Sequence, residues 1–144
     1  MNTTFFSTAR LVCAALCLFL LAGATAHAAE KDLKLEVQLV IGTNDPHQTN
    51  GVPVSPKIEK KLKRLPLKWG GYYVTSSQQF SLAKNETKPL VMGGSEMVVK
   101  NLGDERVELT LINRGKITQS LSQGHTLVTN VKDENSFVVL RQAD

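Results

Sequence analysis

Cationic side chains crowd one stretch of this sequence: Lys57, Lys60, Lys61, Lys63, Arg64 and Lys68 face a single local acid, Glu59. That excess, gathered within about three helical turns, attracts phosphates, anionic glycans or an acidic protein surface, and salt should weaken the attraction. Directly after it come Trp69, Tyr72 and Tyr73, flanking the Gly70-Gly71 pair. Amphipathic rings beside a flexible pair suit the lining of a carbohydrate or peptide groove. Each feature has a plainer alternative. The lysines are also what the solvated face of a docked helix looks like, and the aromatics also suit a hinge where a helix gives way to a sheet, with Trp69 plugging the core. Nucleic acid is not the expected partner, because the basic run lacks the interleaved rings that stack on bases.

Elsewhere the residues that do chemistry are sparse. Asp45-Pro46-His47 sets a carboxylate beside an imidazole, and His125 is the other histidine beyond the N-terminal region. A metal site needs three or four ligands and nothing in the sequence brings these together, so no metal and no other cofactor is expected. There is no Gly-x-Ser-x-Gly elbow. Gly93-Gly94-Ser95 lacks the lysine and helix of a phosphate-binding loop. Asp104-Glu105 lies beside a turn, where nothing raises a carboxyl pKa for general-acid work. No catalytic residue is therefore assigned. Asn85-Glu86-Thr87 matches a glycosylation acceptor, relevant only in a eukaryote.

These groups sit on a recognisable framework. Of 144 residues, the first 28 have the parts of a secretory signal: Arg10, an apolar run from Leu11 to about Ala24, then Ala26-His27-Ala28. The apolar run is shorter than the ~20 residues of a membrane-crossing helix, so the mature chain, residues 29–144, is expected to carry no transmembrane segment. Both cysteines leave with the signal, and the mature net charge falls from +4 to +3. Without thiols, stability must come from a hydrophobic core.

Leu33, Leu35, Val37, Leu39 and Ile41 alternate with mainly polar residues, the period of a half-buried strand. Ser55-Pro56 starts a short helix at about 56–65, with Ile58, Leu62 and Leu65 on one stripe. Beyond Gly70-Gly71, short apolar alternations are separated by Lys84-Asn85-Glu86, Gly93-Gly94, Asn101 to Asp104, Asn113-Arg114-Gly115 and Lys132 to Asn135. This predicts a mainly all-β fold, an antiparallel sandwich or barrel of seven or eight short strands, with one helix in the first crossover.

Leu39 to Asp45, Pro56 to Leu65, Leu67-Lys68-Trp69 with Tyr72-Tyr73, Glu96 to Gly103 and Phe137 to Leu140 together resemble a group of small secreted bacterial proteins of unknown function. The resemblance implies one exported β-rich domain and transfers no catalytic residue. The expectation is thus an exported, periplasmic or extracellular, non-catalytic module. It would contact a protein or an anionic envelope component through Lys57, Lys60, Lys61, Lys63, Arg64, Lys68, Trp69, Tyr72 and Tyr73. Pairing along an open sheet edge is a different binding mode. Two alternatives stay open: a small enzyme or sugar-binding module around Asp45, His47 and His125, and a purely structural envelope protein.

Overall fold

The computed structural model describes residues 31–144; the expected signal segment lies outside the described residues. Among the described residues nine strands form two antiparallel sheets. β1 (Leu33–Thr43) is the centre of the first, flanked by β3 (Gly71–Leu82) and β9 (Ser136–Gln142), with β2 (Val52–Pro53) and β8 (Leu127–Asn130) at the edges. The second sheet is a meander of β4 (Thr87–Met92), β5 (Ser95–Gly103), β6 (Arg106–Leu111) and β7 (Gly115–Ser120). The one α-helix among the described residues, α1 (Pro56–Lys63), lies in the crossover from β1 to β3.

Alternation along β1 decides how the layers stack. Leu33, Leu35, Val37 and Leu39 join Met97, Val99, Val107, Leu109, Val138 and Leu140 in the core between the sheets. The other face of the first sheet is apolar only in part. There Val40, Tyr72, Phe137 and Val139 form a second core with Val54, Ile58 and Leu62, so the helix caps that part of the sheet as a third layer. β9 is therefore covered on both sides, which its unbroken run Phe137-Val138-Val139-Leu140 requires. The remainder of the outer face is polar: buried Glu36 meets Arg141 on the neighbouring strand, Nη2 to Oε2 at 2.5 Å, and Gln38 donates to Glu36 Oε1 at 3.0 Å.

The structure is a sandwich with open edges, not a closed barrel, and several expected boundaries move. β1 and β3 are long, 11 and 12 residues, and the pairing of Val52–Pro53 adds a ninth strand. α1 ends at Lys63 rather than near residue 65, and Leu65 is 39% exposed, because the chain tightens at Arg64 ahead of Pro66. Asn101 is not in a turn: it is buried in β5, donating from Nδ2 to the Leu82 carbonyl at 3.0 Å and accepting the Gly103 N–H at 2.8 Å across a bulge. The turn itself is Asp104-Glu105, both with positive φ (54° and 58°). That is the two-residue hairpin geometry whose twist matches the strands.

Candidate binding surface

The Ser55 hydroxyl accepts the Ile58 N–H at 3.4 Å and Pro56 occupies the first turn, so the start of α1 is set by local chemistry. An eight-residue helix does not persist alone in water. Burial of Ile58 and Leu62 supplies the difference, at ~1.5–3 kcal/mol per side chain. With those two pointing inward, 100° per residue puts Lys57 and Lys61 on one flank, Glu59 and Lys63 on the other, and Lys60 and Arg64 outward.

The basic run is thereby divided. Lys63 pairs with Glu59 at 2.9 Å. Lys60 and Arg64 are exposed and, among the described residues, form no ion pair. Lys61 is a structural cation: its Nζ donates to Thr126 Oγ1 at 2.8 Å and to the Gly124 carbonyl, tying the helix to the segment before β8. Desolvation by burial lowers its pKa, and Lys57, Arg141 and Arg64 lower it further. Lys68 stands away from the helix, 4.0 Å from Glu134 with both side chains more than four-fifths exposed, a contact of little energetic weight.

The three aromatics do not make one platform. Successive strand residues point to opposite faces, so Tyr72 and Tyr73 are parted by the sheet. Tyr72 is 3% exposed, edge-on to Phe137 at 6.3 Å, and belongs to the core under the helix; its phenol pKa is raised by burial, with Lys63 opposing. Tyr73 is half-buried and packs over Gly71. Trp69 lies on Gly42, whose missing side chain makes room for the indole, and faces an open cleft of about 390 Å³ with Lys68, Arg114, Lys132 and Glu134. Trp69 thus plugs the end of the sheet and still meets solvent.

Asp45, His47 and His125 do not converge. Asp45 Oδ1 accepts the His47 N–H at 2.9 Å in the turn after Thr43. His125, its Nδ1 2.6 Å from the Ser122 carbonyl, precedes β8, whose Leu127 is carried through Leu140 to Val37 of β1. From Val37 to Thr43 the strand runs ~20 Å at ~3.3 Å per residue, so these groups occupy opposite ends of the sheet and the constellation is not assembled. Among the described residues no group of three or more His, Cys, Asp or Glu is arranged to hold a metal ion. No helix among them is long and apolar enough to cross a membrane.

Two features have no local signature in the sequence. One is the buried Glu36–Arg141 pair. The other is a pocket of about 230 Å³ where Lys57 and Lys61 meet His125, Arg141 and Gln142. Their members come from residues 36, 57–61, 105, 123–126 and 141–144, which only the folded chain brings together. No known protein family, curated protein or solved structure matches this chain.

Proposed function

We propose that residues 1–28 direct export and that the domain that follows is a non-catalytic bacterial envelope module. It binds an acidic macromolecular surface through the outward face of α1. The observation that carries this reading is the outward pair Lys60 and Arg64, uncompensated among the described residues, with Lys57 and Lys63 on either side. Lys61 serves the helix's attachment instead, and the Lys68–Trp69 corner extends the surface beyond the helix end. Charges displayed on a docked, rigid helix attract an anionic surface without first having to be ordered.

Co-sedimentation of the purified protein with envelope fragments tests the reading, at about 0.1 M and about 1 M salt, where the screening length falls from ~10 Å to ~3 Å. The wild type should sediment at the lower salt only. The combined variant Lys60→Gln, Lys63→Gln, Arg64→Gln should stay in solution at both, with its circular dichroism unchanged because none of the three is in the core. Binding that ignores both salt and these substitutions refutes the basic-face reading and turns attention to the open edges of the sheets.

A further inference from the structure

Lys57 and Lys61 share a position that a merely solvated helix face does not explain. Both ammonium groups converge on Gly124: Lys61 Nζ donates to its carbonyl, and Lys57 Nζ lies 3.7 Å from where a Cβ on that glycine would stand. Arg141 lines the same pocket. Two acids also line it: Asp144 Oδ2 lies 3.4 Å from Arg141 Nη1, and Glu105, on the turn after β5, keeps its charge while its Oε1 accepts from Gln142 Nε2 at 2.9 Å. Neither lysine forms an ion pair among the described residues. With Arg141 compensated by Glu36 and Asp144, the two lysines place a pair of ammonium charges around one glycine, and a counter-ion between them relieves their repulsion.

We infer that the pocket between α1, the Ser122–Gly124 turn and the end of β9 binds a compact oxyanion of the phosphate type, held by Lys57 and Lys61. Two considerations fix the class of ligand. At about 230 Å³ the pocket is smaller than the ~300 Å³ at which sites for drug-sized molecules begin, so it admits a charged group rather than a whole cofactor. The guanidinium of Arg141 is committed to Glu36 at 2.5 Å and approached by Asp144, so no free fork is presented to a planar carboxylate. What remains is a pair of ammonium point charges, which suits a tetrahedral, multiply charged anion. Burial is the first cause of the depressed pKa of Lys61, and Lys57 and Arg141 add to it. This inference stands apart from the outward helix face, because Lys60 and Arg64 do not line the pocket.

Titration of isotope-labelled protein with inorganic phosphate at constant ionic strength is the test. The amide signals of Gly124, His125 and Thr126 should shift and saturate. Lys57→Gln, an exposed position, should weaken binding about tenfold or more, since it removes one of two charge-assisted contacts. Lys116→Gln, on β7 of the second sheet and outside the pocket lining, should leave the curve unchanged. A phosphate-only response points to a soluble ligand, whereas additional binding to phosphatidate-containing vesicles, lost in Lys57→Gln, points to a lipid-borne phosphate. Shifts that fail to saturate, or a Lys57→Gln curve that overlays the wild type, overturn the inference.

Discussion

Replacing Gly42 by alanine probes the seat of Trp69, and the outcome can be worked from the geometry. An added Cβ would stand 2.5 Å from Trp69 Cδ1, 2.6 Å from Cγ and 3.0 Å from Cβ. Carbon atoms settle at ~3.5–4.0 Å, so something must move by ~1 Å. The strand is the stiffer partner: Gly42 N–H donates to the Asn135 carbonyl at 2.8 Å and the residue pairs with Tyr72. The indole, followed by Gly70-Gly71, is the group that gives way. Overpacking of this kind costs ~1–3 kcal/mol. Trp69 is the chain's only tryptophan, so its emission reports the displacement directly and should shift to the red in Gly42→Ala.

The control is Trp69→Ala. With the ring gone, the same Gly42→Ala change should cost nothing, or even return the ~0.5–1 kcal/mol by which glycine weakens a strand interior. Urea unfolding of the two single variants and the double variant should then give a coupling energy of about 2 kcal/mol. If Gly42→Ala destabilises equally with and without the indole, the glycine is required by the backbone and the account of Trp69 fails. Unaltered fluorescence in Gly42→Ala would refute it too.

Two further perturbations test the outer face of the first sheet, one in its polar part and one beneath the helix. Arg141→Met strands the carboxylate of Glu36, which is 6% exposed, and should cost ~3 kcal/mol in urea unfolding, the low end for a broken buried pair because Gln38 and Ser77 still donate to Oε1. Replacing Glu36 by leucine in the same chain should recover most of that loss, and a cost below ~0.5 kcal/mol for Arg141→Met alone would show that the pair is solvated. Tyr73→Phe leaves Tyr72 as the sole tyrosine, and its ultraviolet titration should lie above the ordinary ~10. The sign follows: below pH ~10 both states keep the proton, and above it the unfolded chain releases it first, so Tyr72's contribution falls as pH rises through its folded pKa. A midpoint equal to that in denaturant would contradict the burial of this ring.

The layout of the sandwich was readable from residue patterns wherever one element sets its own chemistry. β1 announces itself by strict alternation, and α1 by Ser55-Pro56 with Ile58 and Leu62 one turn apart. The apolar run Phe137 to Leu140 already signals a strand covered on both faces, which is the clue to the third layer. What pattern could not reveal depends on contacts distant in sequence. Asn101 reads as a turn residue because asparagine favours turns, yet it is buried by its bond to Leu82, nineteen residues away. Clustering in sequence likewise overstates the basic, aromatic face: the helix period turns Lys61 toward Gly124, and the strand period sends Tyr72 inward and Tyr73 to the other side. The pocket of Lys57, Lys61 and Arg141 emerges only once β9 has been laid beside β1.

That placement of β9 also orders events in time. Among the described residues β1 is the first strand to be synthesised, and one of its two neighbours spans residues 136–142, about a hundred positions later. Until those residues emerge from the ribosome, the middle strand lacks half its ladder and the helix has no Phe137 or Val139 to rest on. Such dependence on distant pairing makes folding slow and late. In a chain made amino-terminus first, the first sheet is therefore completed only when nearly all of residues 31–144 have emerged, whereas the β4–β7 meander can pair before that.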